Sequence, residues 1–148
     1  IDIQLVADAI ELPPLRVTVR STRWFRDMEG FTRRAREGRG YFFPPDVVER
    51  RSPSVLLDLL RVVPGVRVQP TPPGTPTRLT VRGRRCDPTV WVDRAPWLGD
   101  DLFTTLRGSE LEAVEVYRGL AEIPADFVEL DDPCAAVLVW TRTRPTVS

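Results

Sequence analysis

Apolar residues along this chain switch their spacing between two and about 3.6 several times, the pattern of short strands interleaved with short helices. Ile1 to Val6 alternates as I-x-I-x-L-V, which predicts a half-buried strand. Leu12-Pro13-Pro14-Leu15 interrupts it, and Val17 and Val19 resume a short strand. Over 24–39, Trp24, Phe25, Met28 and Phe31 fall at i, i+1, i+4 and i+7, predicting a helix with one apolar face and arginines on the other. Gly38 and Gly40 end it. This G-x-G follows no clear strand and has no third glycine opening a helix, so it reads as a turn, not a phosphate cradle.

Pro44-Pro45-Asp46 opens a short helix running to about Arg51. Ser52, as N-cap before Pro53, predicts a second, whose buried face would carry Val55, Leu56, Leu59, Leu60 and Val63. Pro64-Gly65 stops it and Val66 and Val68 begin a strand. Residues 70–76 hold four prolines and a glycine, which predicts a loop. Leu79–Arg82 and Thr89–Val92 read as short strands around a Gly- and Arg-rich turn, and 96–105 as a loop with Trp97 and Phe103 folded back. Ser109 with Glu112 three residues on has the capping-box pattern of a brief helix, followed by a strand through Val114, Val116 and Tyr117. Residues 123–127 read as a small turn or helix, and Ala136 to Thr141 as a final strand buried on both faces. The expected fold class is α/β (α+β): a small mixed sheet with two or three short helices packed on it.

At 148 residues the chain is one domain of ordinary size, and its 42% hydrophobic content is that of a globular core. No apolar run approaches the roughly 18–20 residues that a membrane-spanning helix requires. All the basic residues are arginine; Lys, Asn and His do not occur. Without His the chain lacks the usual general base, the commonest metal ligand and the physiological pH switch. The net charge of zero is unevenly spread. Residues 13–43 carry eight Arg against three acids, and 95–132 carry two Arg against ten acids. The two segments either neutralise each other and are otherwise solvated, or the basic one meets an acidic partner or anionic headgroups. No recognition helix and no aromatic-basic interleaving points to nucleic acid.

Cys86 and Cys134 each sit beside a predicted strand, next to Asp-Pro or Pro-Cys turn chemistry. A disulfide in an oxidising compartment such as the periplasm is the favoured reading, and two buried free thiols the alternative. The acids at Asp100-Asp101, Glu110/Glu112/Glu115 and Asp131-Asp132 match neither a calcium loop nor a glycosidase pair and read as a solvated acidic face. Ser and Thr hydroxyls have no His partner, so no enzyme, cofactor, metal site or small-molecule substrate is expected.

Two half-motifs carry more information than any of these. D-L-L-R-V-V-P-G-V (58–66) and L-E-A-V-E-V-Y-R-G (111–119) resemble the plug domain of TonB-dependent outer-membrane receptors. Gly38-x-Gly40, Val81-Arg82-Gly83, Cys86-x-Pro88-x-Val90-Trp91-Val92-Asp93, 121–125 and Val139-Trp140-Thr141-Arg142 follow in order, so the resemblance covers about 17–142. It implies a plug-like domain over 17–148, with 1–16 as the last strand and linker of a preceding domain, for which such receptors often use a small carboxypeptidase-regulatory-like β-sandwich. Paired cysteines mark a subgroup of the family, which supports the disulfide. The chain departs from the family where Asp93-Arg94 replaces the usual Asp-Gly turn, where 128–132 lacks the glycine-rich stretch, and at Cys134-Ala135 in place of Cys-Gly. Fewer glycines suit a rigid block better than a plug that rearranges.

The family's barrel is a closed sheet of about 22 strands, and none of it lies within these 148 residues. The leading expectation is therefore a non-catalytic periplasmic interaction module, an accessory subunit docked on a larger membrane protein complex, an inner-membrane photosynthetic or respiratory one being an example. The alternative is the plug of a true receptor gating uptake of a siderophore, vitamin or glycan. The expected docking residues are Arg23, Arg26, Arg33, Arg34, Arg36, Arg39 and Trp97, with membrane-complex subunits as partners and anionic headgroups as a further contact.

Overall fold

A computed structural model of the chain describes residues 22–99, 101–128 and 133–142. The strands expected in 1–6 and 17–19, the linker boundary at 16 and the acids at 100 and 131–132 lie outside the described residues.

The centre of the fold is a five-stranded sheet of β1 (Tyr41–Phe43), β7 (Leu111–Tyr117), β8 (Ala136–Thr141), β5 (Thr89–Val92) and β6 (Ala95–Pro96), in that order. β5 and β8 are parallel and the other pairs antiparallel. A second sheet of β2 (Val66–Gln69), β3 (Arg78–Val81) and β4 (Arg84–Cys86) is antiparallel throughout. Among the described residues four helices accompany them: α1 (Thr22–Glu37), α2 (Pro45–Arg51), α3 (Leu56–Leu60) and α4 (Leu102–Thr105). The small α+β class expected from the apolar pattern is the one observed.

β8 separates two cores, because its apolar run has no polar face to give to water. Val137 and Val139 point into a cluster with Phe43, Val48, Leu56, Leu59, Leu60, Leu79 and Val114. Ala136, Leu138 and Trp140 point the other way, toward Phe31, Ala113, Tyr117, Ile123 and Phe127. Helices α2 and α3 and the second sheet contribute to the first core, and α1 with the 3₁₀ turn Ala125–Phe127 to the second.

Thr89–Val92, Ala136–Thr141 and the helix to Arg51 fall where the sequence places them. Helix α3 stops earlier than Pro64-Gly65, ending at Leu60 with Arg61 as its cap. Gly65 sits in the turn beyond at φ +85, its carbonyl accepting from Arg82 N at 2.7 Å. Ser52 has a different role from the one expected. It is the left-handed cap of α2 (φ 44), donating its N–H to Val48 O. Helix α3 starts only at Leu56, because Val55 is drawn into an antiparallel bridge with Arg107. The N-terminal N–H groups of Ser54 and Val55 then donate to the Asp58 carboxylate at 2.9 and 3.2 Å. At 109–112 the cap also moves: Glu110 accepts from Arg107 N in a 3₁₀ turn (Gly108–Glu110), and Glu112 already belongs to β7. The loop expected over 96–105 contains β6 and α4, whose cap Asp101 accepts from Phe103 N and, across the fold, from Thr77 N.

The bridge at Val55 requires a glycine at 108. A Cβ there would stand 1.7 Å from the Pro53 carbonyl oxygen, which is backbone and has no rotamer to yield. Gly108→Ala is expected to cost about 1–3 kcal/mol, measured as a lower urea midpoint; an unchanged midpoint would mean that the crossing is looser than described. Gly40 is a second close approach, its missing Cβ falling 2.7 Å from the Tyr117 ring. This accounts for the G-x-G as packing.

Candidate functional site

Helix α1 carries most of the arginines expected to dock. Arg23, Arg26, Arg33 and Arg36 are exposed, as is Arg39 in the turn that follows. Arg34 is not; its side chain is 8% exposed and points into the fold, which removes it from any docking surface. The reason is the helix's phase. The buried stripe runs Asp27, Gly30, Phe31, Arg34, so Phe25, expected on the apolar face, is 59% exposed. Trp97 lies beyond β6 and is 43% exposed, its ring against Gly99.

Arg34 ends on Glu115, which is 0% exposed. Arg34 Nε donates to Glu115 Oε1 at 2.8 Å and Nη2 to Oε2 at 2.8 Å, a two-point fork. Tyr117 Oη donates to Oε1 at 2.5 Å and Trp140 Nε1 to Oε2 at 2.6 Å. Four donors thus satisfy one buried carboxylate. The guanidinium also lies 5.5 Å from the Phe127 ring centre and 5.7 Å from that of Trp140, within cation–π range. Burial works against the Arg34 charge, but the hydrogen bond to Glu115 and the proximity of its charge outweigh that, and the pKa is raised. Burial first, and then the neighbouring Glu115 charge, raise the Tyr117 phenol far above its ordinary 10.0.

These contacts correct the reading of Glu110/Glu112/Glu115 as a solvated face. Glu115 is the centre of the second core, and Glu112, 6% exposed, accepts from Trp24 Nε1 at 2.8 Å. Both carboxylates tie α1 to β7, so the basic and acidic segments do meet, through Arg34. Further links run from Arg94 Nε to Asp27 at 2.7 Å and from Arg23 Nη2 to the Asp93 carbonyl at 2.8 Å.

The buried phenol has a measurable consequence. Tyr117 is neutral when folded and ionises near 10 when unfolded, so its contribution is complete below pH 10 and declines as pH rises above it. Stability is expected to hold between pH 8 and about 10 and then fall, with the fall shallower in Tyr117→Phe. Identical alkaline profiles for the two proteins would contradict the buried assignment.

Cys86 and Cys134 form a disulfide, with a Cα–Cα distance of 5.9 Å. It ties the edge strand β4 of the small sheet to the residues entering β8. Among the described residues, no group of three or more Cys, Asp or Glu side chains is arranged to hold a metal ion. No described helix is long and apolar enough to cross a membrane.

Sequence reasoning missed a second basic surface, on β2, β3 and β4, where Arg67, Arg78, Arg84 and Arg85 are exposed. A signal for it was available: 66–86 contains five arginines and no acid.

No protein-family model matches the chain, and no curated protein matches it. Among solved structures, the chain is similar to the siderophore receptor PiuA from Acinetobacter baumannii, with 18% identity and a TM-score of 0.51. The match covers 72% of this chain, and the chain spans 15% of that receptor's chain. The likeness is one of fold: a small α+β domain like one portion of a siderophore receptor.

Proposed function

We propose that this domain is a non-catalytic, plug-type module of an outer-membrane receptor, seated on the periplasmic side within or against a larger membrane protein. The observation that supports it is the fold likeness over 72% of the chain to a segment amounting to 15% of a siderophore receptor. The ordered plug motifs of the sequence agree with it. The proposed role is to gate uptake of an iron chelate, vitamin or glycan. Fractionation tests this reading: the polypeptide carrying these residues is expected with the outer membrane after osmotic shock. Recovery in the shock fluid as a free protein would overturn it.

A second reading, an accessory subunit docked as a rigid block on a membrane complex, is favoured by the β5–β6 turn. Asp93 and Arg94 hold φ values of 47 and 75 where the plug family's turn has a glycine. The turn is tied from several directions. Asp93 N donates to Val139 O, Thr141 N donates to Asp93 Oδ1 at 2.9 Å, the Thr141 hydroxyl bonds Asp93 Oδ2, and Arg94 pairs with Asp27. Non-glycine residues in this region persist only where their surroundings over-determine them. Such a turn suits a block that keeps its shape. The same fractionation separates the two readings, because an accessory subunit would be a distinct polypeptide at fixed ratio to others.

A further inference from the structure

The pleat of the three-stranded sheet sorts its side chains into two faces. Val66, Leu79, Val81 and Cys86 are buried in the core. On the opposite face Arg67, Thr80 and Arg85 stand in one row across β2, β3 and β4, and Gln69 pairs with Arg78 in the next. The Gln69 side chain donates to the Thr80 hydroxyl at 3.4 Å, which fixes both on that face. Arg82 lies in the hairpin turn next to this row, and Arg84, paired with Val81 at the strand end, falls by the pleat on the other face.

Arg82 is neutralised, among the described residues, by Glu122 at 2.5 Å. Among the described residues, Arg67, Arg78, Arg84 and Arg85 form no ion pair. The row places Arg67 and Arg85 two strands apart, about 10 Å. Clustered like charges repel and oppose folding, so the fold itself gains nothing from them. Guanidinium groups are planar forks that match carboxylates, and here the strand register fixes their spacing.

We propose that this face is the surface by which the domain docks on its partner, and that the partner is a protein presenting a carboxylate patch. The inference rests on the docking reading above and adds the face and the chemistry that it recognises. A protein occupant is favoured over a bilayer by what adjoins the arginines. Between β2 and β3, the loop over 70–77 closes a groove of about 770 Å³ with Leu57, Val68, Pro70 and Pro72 among its walls. Gln69 belongs both to the groove and to the arginine face. Side chains of a protein fill such a groove next to a charged face, whereas phosphate headgroups remain in their own plane.

These 148 residues contain no lysine, so lysines placed by substitution supply the only side-chain amines within them. The full chain carrying Arg67→Lys and Arg85→Lys, expressed in its own cells, would be treated in native membranes with a zero-length carbodiimide that joins amines to carboxylates in contact. An Arg36→Lys/Arg39→Lys chain reports on the α1 surface under the same conditions. The expected result is at least tenfold more cross-linked product from 67 and 85 than from 36 and 39, with the linked peptides ending on Asp or Glu of the membrane protein that carries the domain, outside these 148 residues. Linking only from 36 and 39, or only to acids within these 148 residues or a second copy of them, would overturn the proposal. So would an absence of linking combined with binding to phosphatidylglycerol–phosphatidylcholine vesicles that Arg67→Glu/Arg85→Glu abolishes. If the chain stays in a membrane particle while both lysines remain unlinked, the face is wrong and the docking reading stands. If they link to a protein that is not in the membrane, the face is right and the docking reading fails.

Discussion

Glu115→Gln is expected to destabilise the domain by about 3–5 kcal/mol, because it leaves the Arg34 charge buried without its counter-ion. The carboxylate is fully buried and accepts from Arg34, Tyr117 and Trp140, so no donor in the cluster has water to fall back on. The amide can accept at one position only, and its NH₂ would face donors. Arg34→Met alone is expected to cost a similar amount, by stranding the anion. The double variant Arg34→Met/Glu115→Leu should cost much less than the two singles added, since apolar groups of similar volume avoid desolvating two charges. With Glu115→Leu as the matching single, urea denaturation of the parent, both singles and the double gives the coupling. A loss under about 1 kcal/mol in the single variants would be that of an exposed pair and would contradict the burial of Glu115. The pair fastens α1 to the central sheet, so the same loss should appear as faster amide exchange in 22–37.

Removing the disulfide, by Cys86→Ala/Cys134→Ala or by reduction, is the second large effect. The bridge closes a loop of 48 residues, worth about 4 kcal/mol in the chain-entropy description. Within that loop run β5, β6, α4 and β7, so without the bridge β4 is held beside the entry to β8 by packing and by the long backbone path between them. The expected outcome is a lower urea midpoint with a somewhat steeper slope, because the unfolded chain without the bridge is less compact and exposes more surface. A midpoint equal to that of the oxidised protein would show that the core alone fixes β4.

How far the sequence reveals this molecule depends on whether local pattern or tertiary contact sets each feature. Thr89–Val92 and Ala136–Thr141 were legible because continuous apolar runs bounded by Pro and Cys leave few other structures open. Helix α2 was legible from Pro at its first position. Ser52 misled because a good N-cap residue is also tolerated at a left-handed C-cap, and the choice was made by a bridge to Arg107, distant in sequence. The three-residue strands β1 and β4 are too short to carry an alternation and exist through their partners.

The buried cluster was hidden for a different reason. Arg34, Glu112 and Glu115 were assigned to the surface, as their types usually are. A joint signal did exist: alternation in β7 puts Ala113, Glu115 and Tyr117 on one face, and Arg34 follows Phe31 by three residues on the helix that covers it. The ordered plug motifs pointed to a fold of the observed class, whereas the exposed arginines of β2, β3 and β4 went unweighed because the helical arginines stood closer together in sequence.

The central claim is that this domain works as a docked module of a membrane protein, and the most direct measurement is the particle that carries it. Native membranes would be extracted with gentle detergent, and the extract sized and identified by mass spectrometry. The account predicts a single large species in which these residues are stoichiometric with a membrane protein, either in one polypeptide or in a fixed complex. A chain that emerges alone, at the size of a 16.8 kDa monomer, from membrane and soluble fractions alike would contradict it.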